Sequence, residues 1–204
     1  MIHFKVTLAD GTSRKIPVLP DSLCLDFSNE SIMAIDLGPL DNMADLEELN
    51  LSNNSLMTLD LVALAFCKSL HSLKLNSNHL RVIGIDSLKY CDLKHLDLSN
   101  NALFRLDLEP LAECQNLTTL HLQDNQMKAL DLTPLSKCPR LEELNLLGND
   151  IMRLDLSALF SCASLHKLSV PEETKLVSWR EPDIEILNPP ALNALTEMGR
   201  IEYL

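Results

Sequence analysis

Apolar residues recur along this chain with a long period of 23 to 24 residues, and inside each period two shorter rhythms alternate. From Leu46 the positions follow the template LxxLxLxxNxLxxLDLxxLxxC, which restarts at Leu70, Leu93, Leu117, Leu141 and, incompletely, Leu165. Upstream, Leu25, Phe27, Ile32, Ile35, Leu37, Leu40 and Met43 fit a degenerate copy that starts near Ser22. One unit is a residue short, because only Asp92 separates Cys91 from Leu93. The first half of a unit has period two. Leu120 and Leu122 point one way and Thr119, His121 and Gln123 the other, which predicts a short half-buried strand. The second half predicts a short helical or 3-10 segment. One unit cannot bury its leucines alone, so the units must stack, with the strands forming a parallel sheet.

Three other positions recur in register. Asn54, Asn78, Asn101, Asn125 and Asn149 stand where the chain turns in from the strand. There an amide, with two donors and an acceptor, can satisfy backbone groups that the turn leaves unpaired. Asp36, Asp60, Asp107, Asp131 and Asp155 precede the second half. Carboxylates stacked about 5 Å apart repel one another unless solvated or given backbone N–H bonds, so the row reads as turn caps, with a cation-binding ladder as the alternative. Pro39, Pro110 and Pro134 follow closely, where a fixed φ suits a first helical turn. Five of the six cysteines, Cys67, Cys91, Cys114, Cys138 and Cys162, recur at intervals of 24, 23, 24 and 24 residues. That spacing predicts a row of reduced core residues rather than a disulfide framework, and the CxxC pattern of zinc sites is absent.

The flanks depart from the template. Ile2, Phe4, Val6 and Leu8 alternate with polar residues, Asp10-Gly11 is a two-residue turn, and Ile16 and Val18 return, which predicts a β-hairpin cap within residues 1–21. At the other end the template decays at Val170-Pro171, and Glu173 takes the asparagine position. Trp179 is expected to pack on the last repeat. Asn188-Pro189-Pro190 should open a helix to about Met198, closed by Gly199, with Ile201 and Tyr203 returning to the body.

On these residues the chain resembles the leucine-rich-repeat superfamily, whose signature LxxLxLxxN/CxL recurs in five consecutive units over about residues 46–164. The LDLxxLxxC halves differ from the extracellular families and the Cys-rich caps of those proteins are missing, so the resemblance implies a short intracellular member. It implies an α/β solenoid with a curved parallel sheet on the concave face and short helical or 3-10 segments on the convex face. The expected organisation is a single domain over residues 1–204, with about six repeats over 22–170 and a C-terminal cap over 171–204.

Composition narrows the partners. With 29 acidic against 17 basic residues the formal charge is -12, which repels phosphate backbones and anionic lipid, so neither nucleic acid nor membrane is expected as a partner. The 46 % of hydrophobic residues suffices for a buried core. No stretch approaches the roughly 18 apolar residues of a membrane span, and the first residues lack a basic segment followed by an apolar run. The expectation is an intracellular, cytoplasmic monomer in which the sequons at Asn29, Asn53 and Asn116 have no role.

The resemblance directs attention to the outward strand positions. These are Glu47, Glu48, Asn50 and Ser52; His71, Ser72, Lys74 and Asn76; Lys94, His95, Asp97 and Ser99; Thr118, Thr119, His121 and Gln123; Glu142, Glu143, Asn145 and Leu147; and His166, Lys167 and Ser169. A central basic cluster lies between two Glu-Glu pairs. The expected docking site for an acidic or carboxylate-bearing protein segment comprises His71, Lys74, Lys94, His95, Asp97, His121, Gln123, Glu142 and Asn145. The alternative is a solvated face in which Lys74, Asp97 and His121 neutralise one another across adjacent strands. A rival edge carries Met33, Met57, Phe104 and Met152, either exposed to a partner helix or second copy or folded down over the loops. Phe66, Tyr90 and Phe160 are expected as core padding behind the sheet.

No Gly-rich phosphate loop, HExxH or nucleophile elbow is present, and His95 with His121 lacks a third metal ligand. No catalytic residue, metal or cofactor is therefore expected. The leading function is a non-enzymatic adaptor or regulatory subunit; the alternative is an architectural or self-associating scaffold. An enzyme would require perturbed titratable groups among His71, His95 and His121.

Overall fold

The N-terminal alternation forms an antiparallel hairpin, β1 (Ile2–Leu8) with β2 (Ser13–Val18), turning at Gly11 with φ of +85°. Phe4 and Val6 are fully buried beneath it, and the Phe4 ring lies tilted against Phe27 at 5.2 Å. After β3 (Cys24–Asp26), the segment β4 (Ile32–Ile35) pairs antiparallel with β1 and ties the hairpin onto the first unit. The computed structural model describes residues 1–179 and 188–204, so part of the C-terminal cap expected over 171–204 lies outside the described residues.

The strand halves of the units are β5 (Glu48–Asn50), β6 (Ser72–Lys74), β7 (His95–Asp97), β8 (Thr119–His121) and β9 (Glu143–Asn145). Beyond them come β10 (Arg153–Asp155) and β11 (Lys167–Ser169). All but β10 join β3 in a seven-stranded parallel sheet, with Leu25, Leu49, Leu73, Leu96, Leu120, Leu144 and Leu168 paired strand to strand as its core row. Behind it stack 3-10 turns at Gly38–Asn42, Val62–Phe66, Asp86–Tyr90, Glu109–Glu113, Thr133–Lys137 and Ser157–Ser161.

A second small sheet, which the repeat pattern does not predict, closes the C-terminal end. In it β12 (Lys175–Ser178) runs parallel to β10 on one side and to β13 (Ile201–Tyr203) on the other. The helix α1 (Pro190–Glu197) bridges to β13 and buries Leu192, and Gly199 ends it at φ +66°. Leu176, Val177, Leu192 and Ile201 fill the end of the core, and Trp179, expected to do so, is instead exposed. The reason is positional: the buried residues of β12 come first, and Trp179 lies just past the strand.

The asparagine row behaves as its chemistry requires. The amides of Asn54, Asn78, Asn101, Asn125 and Asn149 donate to the carbonyls of Phe27, Leu51, Leu75, Leu98 and Leu122 of the preceding unit at 2.8–3.0 Å. Their oxygens accept the backbone N–H of Ile32, Leu56, Leu80, Leu103 and Met127. The residue before each is held at positive φ, as Asn53, Ser77, Asn100, Asp124 and Gly148. At Gly148 a Cβ would also press on the Asp124 side chain and come within 3.1 Å of its backbone. The aspartates are turn caps: Asp36, Asp60, Asp107, Asp131 and Asp155 each accept the N–H two residues on at 2.8–2.9 Å.

Each repeat cysteine is buried and directs its thiol at the turn carbonyl of the preceding unit, from Cys67 to Leu40 at 3.6 Å through Cys162 to Leu135 at 3.2 Å. Burial pushes these thiols up, to about 11 for Cys67 and Cys138 and about 12 for Cys91, Cys114 and Cys162, so the reactive thiolate is scarce. All six cysteines are free and Cys24 is exposed. A maleimide at neutral pH should therefore add once to the native protein, at Cys24, and to all six cysteines in denaturant. Mass spectrometry checks this, and rapid multiple labelling of the native chain would contradict it.

The expectation of aromatic padding needs correction. Phe160 is buried, but Phe66 and Tyr90 are exposed. Phe160 sits two residues before its cysteine and the others one residue before theirs, so they occupy different faces of the 3-10 turn.

Candidate functional site

Strand register sets the concave face. Glu48, Ser72, His95, Thr119 and Glu143 lie side by side in one row, and Asn50, Lys74, Asp97, His121 and Asn145 in the next. Between the central strands is an open hollow of about 440 Å3 whose lining includes Glu48, His71, Lys74, His95, Asp97, Thr119 and His121. It thus brings together five residues of the expected site, namely His71, Lys74, His95, Asp97 and His121. Lys94, Gln123, Glu142 and Asn145 lie outside that lining. Ser52, Ser72 and Ser99, expected to face outward, are buried. A small side chain on a crowded face is covered by longer ones beside it, and the Ser99 hydroxyl is turned onto Asp97 at 2.6 Å.

The electrostatics separate engaged groups from free ones. Asp97 Oδ1 accepts the N–H and the hydroxyl of Ser99 within its own strand end, and among the described residues Asp97 forms no ion pair with Lys74. Lys74, Asp97 and His121 stand side by side on adjacent strands without a direct ion pair among them in the described residues. His71 Nε2 lies 3.5 Å from Glu47, and His121 Nε2 lies 3.3 Å from Glu143 Oε1 without an aligned hydrogen bond. Lys167 also reaches Glu143, at 2.7 Å, and this hydrogen bond, helped by His121, holds the Glu143 carboxyl below the usual carboxylate range. Of the Glu142–Glu143 pair, only Glu142 is left exposed and unengaged among the described residues.

His95 is the centre of the patch. Its Nδ1 lies 2.8 Å from the Thr119 hydroxyl and 3.3 Å from that of Thr118, which itself donates to the Lys94 carbonyl. Burial lowers the pKa of His95, and the nearby positive charges of His71, Lys94 and Lys74 lower it further against the opposing pull of Glu142. On a chain of net charge -12, this hollow gathers three histidines and Lys74, with Lys94 just outside, beside the carboxylates Glu48 and Asp97. Two polar atoms here, His71 Nδ1 and Gln123 Oε1, are buried without a partner among the described residues. Thr118 and Thr119, absent from the expected site, orient its histidine; the register Thr119↔His95 carries that relation.

The rival edge is exposed rather than folded over the loops, with Met57 at 58 % and Met152 at 80 %. Met152 helps wall a cleft of about 550 Å3 with Lys128, Ile151 and Pro171. Among the described residues no three His, Cys, Asp or Glu side chains form a metal-binding group, and no helix is long and apolar enough to cross a membrane.

Comparison with known proteins agrees with this architecture. The family model described as leucine rich repeat matches residues 24–80 and 91–151, together more than half of the chain. A leucine-rich-repeat protein of Leptospira interrogans is 27 % identical with a TM-score of 0.57, covering 71 % of this chain and 35 % of its own. Internalin C2 of Listeria monocytogenes is 32 % identical with a TM-score of 0.50, covering 67 % and 66 %. The Arabidopsis receptor kinase HAESA, solved in complex with the peptide hormone IDA and the co-receptor SERK1, is 26 % identical with a TM-score of 0.65, covering 77 % and 27 %. The chain therefore spans only 35 % of the Leptospira protein and 27 % of HAESA. No curated protein matches the sequence significantly.

Proposed function

Because the chain belongs to the leucine-rich-repeat family, whose domains generally mediate protein–protein contacts, we propose that it is a non-enzymatic adaptor or regulatory subunit that holds a protein partner on its concave face. The observation that carries this reading is the hollow around His95. There Lys74, and Lys94 beside the lining, stay free of ion pairs among the described residues, while Glu143 is held by Lys167 and one oxygen of Asp97 by Ser99. The occupant is an extended segment bearing carboxylates, with Glu142 and Glu48 at the margins meeting its basic groups. That HAESA was solved with a peptide hormone supports a peptide-like occupant on this scaffold. In this reading the protein acts in the cytoplasm, as a monomer and without a cofactor. Affinity capture from the source cells, followed by hydrogen-exchange mapping of the captured pair, tests it. Protection of β6, β7 and β8 supports the reading, and protection confined elsewhere removes it.

The same reading predicts proton linkage. In the free protein His95 titrates below its ordinary value of 6.5. A carboxylate brought beside it offsets the neighbouring cations and raises that value. Binding then takes up protons between the two values, and affinity rises as pH falls through that window, levelling once free His95 is itself protonated. Calorimetry near pH 6 in buffers of different ionisation enthalpy should show uptake that disappears in His95→Gln. Binding with no proton exchange in the intact protein would contradict it.

The exposure of Met33, Met57, Phe104 and Met152 favours a second reading, a scaffold that self-associates through this edge. It predicts a sedimenting mass that rises with concentration and reverts to the monomer in Met57→Ser/Met152→Ser; a concentration-independent monomer excludes it.

A further inference from the structure

The convex side carries a surface of opposite character. The residue that opens each 3-10 turn is Gly38, Asp86, Glu109, Thr133 or Ser157 in five units, but Val62 in the other. The residue before the repeat cysteine is Glu113, Lys137 or Ser161 in three units, but Phe66 and Tyr90 in two adjacent ones. Val62 is 67 % exposed and Phe66 54 %. With Leu37 and Ala63 they line a cleft of about 350 Å3 whose titratable lining consists of three carboxylates, Asp36, Asp41 and Asp60. Asp36 and Asp60 each spend one oxygen on a turn N–H at 2.9 Å, which leaves the other oxygen of each for an outside donor. Across Val62 a second shallow cleft adds Asp86. The ring of Tyr90 is different, because Lys68 and Lys89 stand 4.8 Å and 5.2 Å from it and bound the apolar patch on that side.

We infer that the cleft formed by Leu37, Val62, Ala63 and Phe66 is a docking surface for a basic amphipathic segment of a protein partner, with an apolar side chain on Phe66 and lysine or arginine groups at Asp36, Asp41 and Asp60. Neither ingredient suffices alone, since the aspartates have a local turn role and single exposed apolar residues are ordinary. Their coincidence carries the inference. In this cleft the repeat places Val62 and Phe66 at solvent-facing positions where the charges of the lining are all of one sign. Charge complementarity then selects the occupant: anionic lipid, nucleic acid and acidic segments are repelled here by Asp36, Asp41 and Asp60, and a basic segment is attracted.

The test uses the full chain and a 15-residue amphipathic peptide of leucine and lysine, beside a twin in which every lysine is glutamate. Backbone chemical shifts locate the contact, and fluorescence anisotropy measures it at low and moderate salt. Because an acidic protein attracts any basic peptide weakly, location decides. The expected result is shift changes centred on Leu37, Val62, Ala63 and Phe66, affinity that falls with salt, and no comparable binding of the glutamate twin. Phe66→Ser and Asp41→Lys, both at exposed positions away from the turn caps, should each weaken binding about tenfold with the circular dichroism unchanged. Shifts scattered over the surface, or affinity in both variants equal to the parent's, would overturn the inference. So would cleft shifts that grow with protein concentration alone, which would assign the surface to a second copy of the chain.

Discussion

Asn125→Ala is expected to lower the unfolding free energy by about 3–5 kcal/mol, because it strips a buried amide of every bond it makes. The Asn125 amide donates to the carbonyls of Leu98 and Leu122 at 3.0 Å and of Gln123 at 3.3 Å, and its oxygen accepts the Leu103 N–H at 3.0 Å. Alanine leaves at least two of these backbone groups buried without partners, each costing about 1–3 kcal/mol. Two of those bonds, to Leu98 and from Leu103, also join neighbouring units, so the loss falls on the interface that makes stacking cooperative. For a chain of this length the melting temperature should drop by roughly 6–20 °C. Asn125→Asp fares no better, since it removes the donors and faces the same carbonyls with a charge. Gln126→Ala, exposed one residue later, should stay within about 0.5 kcal/mol of the parent. Denaturant and thermal melts of the three variants check this, and equal melts for Asn125→Ala and Gln126→Ala would show that the ladder does not hold the units together.

The second large effect is on binding. Lys74→Glu, Lys94→Glu and His121→Glu together turn two cations and a histidine into three carboxylates around His95. Against an acidic segment this should weaken the partner at least about 100-fold, or about 2.7 kcal/mol. His121→Glu also sets a carboxylate beside Glu143, which Lys167 alone would then serve, so local repulsion adds to its effect. The double variant Lys74→Glu/Lys94→Glu avoids this, since neither lysine forms an ion pair among the described residues, and it should lose most of the affinity while melting like the parent. Retained affinity in a folded double variant would remove the concave hollow as the binding site.

Much of the fold is legible because the repeat states it six times over. The leucine row, the asparagine ladder, the aspartate caps and the cysteine row each follow from one side chain meeting the same backbone geometry in every unit. The small sheet of β10, β12 and β13 is not legible, since it joins the Leu154-Asp155 part of the last full unit to segments past the template, and no periodicity marks such pairing. The left-handed position before each asparagine is within reach: Asn53, Ser77, Asn100, Asp124 and Gly148 are residues that tolerate positive φ. Around the hollow, the repeat register places Lys74 beside Asp97 and Asp97 beside His121, as the strands do. It does not reveal that Asp97 is taken by Ser99, because that choice depends on side-chain rotamers at the strand end. Exposure of Phe66 and Tyr90 escapes any reading that treats aromatic residues near the cysteine as equivalent, when a shift of one position separates core from solvent.

The most direct test of the account is a titration of the captured partner against three folded proteins: the parent, Lys74→Glu/Lys94→Glu, and Met57→Ser/Met152→Ser. The account predicts that affinity collapses in the charge-reversal variant alone. Loss confined to the methionine variant would contradict it and place the partner on the Met33, Met57, Phe104 and Met152 edge.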